Sequence, residues 1–199
     1  LEISVLALIP NAHPYKGILQ LVHGMAEHKE RYLPFMEYMT QQGFLTIIHD
    51  HRGHGKSVRR KEDLGHMYGG GADALLSDIH TVNQGLRERF PDLPLILMGH
   101  SMGSLAVRAF VAEHDSCVDM LIVCGSPSYN TAMPLGVAIA KTEKAVFGPR
   151  HRSKLIETMS FGAGAMKFRK DKRCTAWICS DPDVAKEYEE SELCGFTFT

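Results

Sequence analysis

Four short apolar runs punctuate the first 126 residues: Gly17-Ile-Leu-Gln-Leu-Val22, Leu45-Thr-Ile-Ile48, Pro94-Leu-Ile-Leu-Met98 and Met120-Leu-Ile-Val123. Runs this short and this apolar read as strands buried on both faces. Helical patterns fill the intervals: residues 31–42, ended by Gly43; residues 72–90, stopped by Pro91; and residues 102–114. Strand and helix in alternation predict an α/β fold, a parallel sheet covered by helices on both faces. Ligands on such sheets sit beyond the carboxyl ends of the strands, so the residues just after each run are where chemistry is expected.

Three segments occupy such places. Gly99-His100-Ser101-Met102-Gly103 follows the third run and opens a helix. Gly-x-Ser-x-Gly at a strand-to-helix turn lifts the serine clear of the sheet, and the glycines are needed because a side chain two positions away would collide with the neighbouring strand or helix. The helix amino terminus supplies free N–H groups that stabilise an anion. The alternative is a surface turn with an inert serine. His23-Gly24-Met25-Ala26-Glu27-His28 follows the first run. Its backbone is placed to give a second oxyanion donor, so Met25 and Met102 form the expected pair of N–H groups about 3 Å from a developing oxyanion. Otherwise His23 and His28 simply satisfy buried loop carbonyls. The third segment, His49-Asp50-His51-Arg52-Gly53-His54-Gly55-Lys56-Ser57, carries three histidines. His49, His51 and His54 are read either as zinc ligands or as hydrogen-bonding supports for the loop. The glycines and the basic Arg52 and Lys56 favour support, and no metal or other cofactor is expected.

Taken together, in this order and spacing, the three segments resemble the alpha/beta-hydrolase family, specifically its monoacylglycerol lipase and lysophospholipase-like branch, also labelled serine aminopeptidase-like. The resemblance covers the whole chain. It implies an alpha/beta-hydrolase fold, with a mostly parallel central sheet, helices on both faces and a helical cap insertion. Residues 1–126 would be the core and 127–199 an incomplete cap, with the carboxyl-terminal strands missing. It further implies a serine hydrolase of acyl esters working through an acyl-enzyme, on a monoacylglycerol or lysophospholipid. Ser101 would be the nucleophile, with the Met25 and Met102 amides as oxyanion hole. Met133, Phe147, Met159, Phe161, Met166, Phe168 and Trp177 of the cap are suited to an acyl chain, and equally to an ordinary cap core. The catalytic order in this fold is Ser, then Asp or Glu, then His. After Ser101 the only histidines are His114 and His151, and neither fits. The triad acid and base are therefore expected outside this chain, which by itself should have no more than residual activity. Peptidase or small-ester carboxylesterase activity on the same fold, a non-catalytic binding protein on this scaffold, and a metal hydrolase remain as alternatives.

Charge bounds the partners. The 22 Lys+Arg and 23 Asp+Glu give a net charge of −1, without the basic excess that nucleic acid requires. The balance is uneven: residues 141–173 hold 10 basic and 3 acidic residues, a net of +7. That segment is suited to a phosphate head group or an anionic membrane surface, although solvated helix faces are the commoner explanation. The uncharged stretch 120–140 is interrupted by Gly125, Pro127 and Pro134 and is not a membrane span. No basic residue precedes the apolar amino-terminal residues, as a signal peptide would require, and Leu1 stands where an initiator methionine is absent. Five cysteines without a Cys-x-x-Cys spacing point to a reducing compartment. A cytoplasmic protein is expected, in peripheral contact with membrane through its cap.

Overall fold

A computed structural model describes residues 1–168 and 175–199, apart from the side chains of residues 161 and 163–165. The chain divides into two compact units, the first formed by Leu1–Arg59 and Met67–Pro127, the second by Arg60–His66 and Ser128–Thr199. Residues 60–66, which precede the boundary expected after residue 126, group with the second unit.

The first unit is a five-stranded sheet. Its strands are β1 (Val5–Leu8), β2 (Gly17–Val22), β3 (Phe44–His49), β4 (Leu95–His100) and β5 (Met120–Cys124), in the order β1-β3-β2-β4-β5. All neighbours pair in parallel except β1, which is antiparallel to β3. The four expected runs are β2 to β5; β1 was not expected. Helices α1 (Leu33–Gln41), α2 (Gly71–Arg89) and α3 (Met102–His114) cover the sheet. The first starts two residues later than expected. Lys29–Tyr32 forms a 3-10 turn ahead of it, and Pro34, which has no N–H to leave unpaired, fits the first turn of the helix.

Strand β2 is buried throughout, and its side chains alternate between two cores. Ile18 and Val22 pack with Leu75, Ile79 and Leu86 of α2 and Val107 and Phe110 of α3. Leu19 and Leu21 pack with Met36 of α1 and Ile48 of β3. Each such side chain contributes about 1.5–3 kcal/mol by leaving water. Gln20 faces the first core and is satisfied there, donating to the Ile79 carbonyl (3.1 Å) and accepting from Asn83 (3.1 Å). Helix α3 sits hard against β2: a Cβ on Gly103 would lie 2.1 Å from the Val22 carbonyl oxygen, and one on Gly99 2.4 Å from the Gly103 oxygen.

The second unit contains α4 (Met133–Phe147), α5 (Lys154–Lys167) and α6 (Pro182–Glu190). Asp181 caps α6 by accepting from the Asp183 (2.9 Å) and Val184 (3.3 Å) amides. The excursion is tied in by charge. Arg152 donates to the carbonyls of Glu62 (3.1 Å), Leu64 (2.7 Å) and Thr197; Arg150 pairs with the buried Asp63 (2.7 Å), and Lys61 with Glu192 (2.6 Å). Met133, Phe147, Met159, Met166, Phe168 and Trp177 are each more than a third exposed, so they do not form a cap core. The Phe161 side chain and residues 169–174, with four of the ten basic residues of the segment 141–173, lie outside the described residues. Among the described residues no helix is long and apolar enough to cross a membrane, and Cys117, Cys124, Cys179 and Cys194 are free thiols.

The glycine contacts make a paired prediction. Gly103→Ala should destabilise the protein by at least about 2 kcal/mol, because helix and strand must separate. Gly85→Ala, in α2 where a Cβ would meet nothing within 4 Å, should stabilise by about 0.5–1 kcal/mol. Urea-unfolding midpoints of the full polypeptide compare the two; equal effects would refute the contact.

Candidate active site

At the end of β4 the chain turns into α3 through Ser101, whose φ of 52° and ψ of −116° are rare for a residue with a side chain. Such a conformation costs on the order of 1–3 kcal/mol and persists only where surrounding structure enforces it. Here the Ser101 amide donates to the Cys124 carbonyl of β5 (3.0 Å). Its carbonyl accepts the Ser104 amide (3.0 Å) and the Ser104 hydroxyl. Gly99 and Gly103 flank it with no room for larger residues, as the turn requires.

The β2 loop comes against this turn. A Cβ on Gly24 would lie 3.3 Å from the Ser101 Cβ and 2.7 Å from Glu27 Oε1, so glycine is needed for the approach. The Met25 amide in this loop and the Met102 amide in the first turn of α3 are engaged by no hydrogen bond among the described residues. The structure thus brings Ser101, Met25 and Met102, the three residues singled out from the sequence, into neighbouring segments. Glu27, whose role the sequence did not reveal, ties those segments together. Its buried carboxylate accepts from the Gly24 amide (2.5 Å) and the Tyr32 hydroxyl (2.9 Å), pairs with Arg31 and stands 3.5 Å from His100 Nδ1. Burial pushes its pKa up, but His100, Arg31, the Gly24 amide and Tyr32 together outweigh this and hold it below the ordinary carboxylate value.

The histidines act mostly as supports. His23 Nδ1 donates to the Gly24 carbonyl (2.8 Å) and His51 Nε2 to the His23 carbonyl (3.0 Å), while His54 Nε2 accepts from the Ala26 amide (3.3 Å). His28 differs from expectation: it bonds the Glu30 carboxylate (2.9 Å) rather than a buried carbonyl. His49 also differs, being fully buried with neither ring nitrogen hydrogen-bonded. Both ring nitrogens of His54 meet backbone groups, which removes it as a ligand for the metal reading. Among the described residues no three His, Cys, Asp or Glu side chains gather as a metal site. Arg52 pairs through two bonds with Asp78 (2.8 Å each). Asp50 accepts from Lys29 Nζ (2.6 Å), the Lys29 amide (2.8 Å) and the Lys56 amide (2.9 Å).

No imidazole of the first unit hydrogen-bonds the Ser101 hydroxyl. His114 closes the 13-residue α3, about 20 Å along the helix from Ser101 at 1.5 Å per residue, and stacks on His80 (4.2 Å). His151 lies in the second unit beside Phe147 (4.6 Å).

Burial holds His49 and His54 neutral, with pKa values lowered to about 3, and lowers those of His23 and His51 as well. The unfolded chain takes up these protons near pH 6.5 and the folded chain does not, so their contribution to stability is complete above pH 6.5 and is lost as pH falls toward 3. For His49 and His54 together the loss should approach about 2–3 kcal/mol per pH unit below pH 6. Urea unfolding at pH 7.5 and pH 5.5, above the carboxylate range, measures it; equal stability at both would contradict neutral burial.

Residues 13–199 match the family model described as serine aminopeptidase, S33. A monoacylglycerol lipase of Mycolicibacterium smegmatis is 32% identical over 135 residues, covering 66% of this chain and 46% of that protein. A monoglyceride lipase homolog of Monkeypox virus is 26% identical over 189 residues, covering 92% of this chain and 58% of that protein. The chain thus spans about half the length of these relatives. Among solved structures, a thermostable carboxyl esterase from Bacillus coagulans superposes with a TM-score of 0.89 at 28% identity, over 98% of this chain and 63% of that one. The five-stranded, mostly parallel sheet is that of the alpha/beta hydrolases, and the chain belongs to the serine aminopeptidase S33 family.

Proposed function

We propose that this chain carries the nucleophile and oxyanion hole of a serine ester hydrolase that acts on lipid-like acyl esters, a monoacylglycerol or a lysophospholipid, through an acyl-enzyme. The observation that carries the reading is the strained Ser101 at a helix amino terminus, pressed against a glycine loop that offers a second free amide. Ser101 Oγ attacks the ester carbonyl carbon, and the carbonyl oxygen takes up the negative charge. The Met25 and Met102 amides stabilise that charge, an effect that reaches about 10²–10³ in rate for one such donor. Collapse of the tetrahedral species expels the alcohol and leaves the acyl group on Ser101; water then releases the acid. The proton leaving Ser101 requires a general base oriented by an acid. No described residue of the first unit fills either role.

The lipid-like substrate is supported by the lipase relatives and by the exposed apolar side chains of the second unit, the region we assign as the cap. That unit is suited to transient contact with a membrane surface through Phe147, Met166 and Trp177. A small-ester carboxylesterase is the second reading, favoured by the similarity to the Bacillus coagulans enzyme.

In the full polypeptide, a fluorophosphonate should label Ser101, and Ser101→Ala should abolish labelling and lower kcat on monoacylglycerol by about 10⁴-fold or more, with the circular dichroism spectrum unchanged. Labelling that survives Ser101→Ala would remove Ser101 as nucleophile. Turnover of short acyl esters but not long ones would favour the second reading.

A further inference from the structure

The β2 loop is held by imidazoles on both sides of Met25. Ahead of it, His23 Nδ1 donates to the Gly24 carbonyl (2.8 Å); behind it, His54 Nε2 accepts the Ala26 amide (3.3 Å). The Gly24 carbonyl and the Met25 N–H belong to one peptide unit, which is trans, the His13–Pro14 bond being the cis one among the described residues. A trans peptide is planar, with its C=O and N–H pointing in opposite directions. Whatever fixes the Gly24 carbonyl therefore fixes the direction of the Met25 N–H.

We infer that His23 is a positioning residue that aims the Met25 amide into the oxyanion hole through the peptide plane the two share. The ring is fixed in turn. Its Nε2 accepts the His51 amide (3.1 Å), which leaves the proton on Nδ1, the nitrogen that must donate. His51 Nε2 returns a bond to the His23 carbonyl (3.0 Å), and the two rings pack with centroids 4.1 Å apart. The ring is fully buried. The titratable groups around it are His49, His51, His54 and Asp50, whose Oδ1 stands 4.0 Å from Nε2. Burial keeps it neutral at working pH, so the donor and acceptor roles do not exchange.

The inference rests on the proposed oxyanion role of Met25, and the test separates the two. In the full polypeptide, His23→Asn keeps an amide N–H near the Nδ1 position, whereas His23→Gln reaches the Nε2 side and lacks the donor to Gly24. His49, buried in the same cluster without a bond to the loop, is the control. His23→Gln should lower kcat about ten- to a hundredfold with KM within about twofold. His23→Asn should recover most of that loss, and His49→Asn should leave kcat unchanged. Nitrogen NMR of the wild-type ring should show the Nδ1–H tautomer from pH 5.5 to 8, a readout that needs no variant to fold. Equal losses in both His23 variants, a loss confined to KM or Tm, or an Nε2–H tautomer would overturn the inference while wild-type turnover keeps the hydrolase reading. A wild-type protein that neither turns over esters nor reacts with fluorophosphonate would overturn both.

Discussion

The approach of α3 to β2 at Gly103 is the constraint from which the site follows. With the Val22 carbonyl so near that a Cβ would fall 2.1 Å from it, the helix amino terminus abuts the end of the central strand. The loop leaving that strand then has to pass beside Ser101. The same closeness forces the turn at Ser101 into a conformation that costs on the order of 1–3 kcal/mol. Hydrogen bonds to Cys124 and Ser104 offset that cost. Strain at Ser101 and proximity of the Met25 amide are thus two results of one packing contact. The link to Cys124 also makes β5, the last strand of the described sheet, part of the support for the turn.

Beyond the strand ends the interior changes character. Around the middle of the sheet the buried groups are mostly aliphatic, with Gln20 accepting from Asn83 and donating to the Ile79 carbonyl. At the carboxyl ends, His23, His49, Asp50, His51, His54, Glu27 and Lys29 are all buried. The charged members are paired: Asp50 with Lys29, Glu27 with Arg31. Removing one partner would leave an uncompensated charge away from water. The histidines are neutral and mostly bond the main chain. Such a region adds little net stability, but it holds loop peptides that no regular strand or helix holds.

The sheet and the three segments at its edge were legible because they rest on local signals. Strands β2 to β5 are short apolar runs, and helix α3 begins and ends where its pattern does. The strained turn at Ser101 was legible because such a turn admits few sequences. Strand β1 was missed because four residues, Val5–Leu8, pair antiparallel at the edge and are only half covered, which leaves a short and weak alternation. Glu27 was missed because its partners combine its own loop with His100, a residue distant in sequence. The division among histidines was not legible either: His51 and His49 stand two apart, yet one bonds the loop and the other bonds nothing, a matter of which neighbours the tertiary fold supplies.

The excursion at residues 60–66 alters how the second unit should be regarded. Arg150 and Arg152 grip Asp63 and the carbonyls of Glu62 and Leu64, so this unit is assembled from two separate stretches of chain. An exchange between relatives that replaced only the residues after 127 would leave a seven-residue stub selected for a partner it no longer meets. Recombination or engineering that respects the fold has to carry both stretches together.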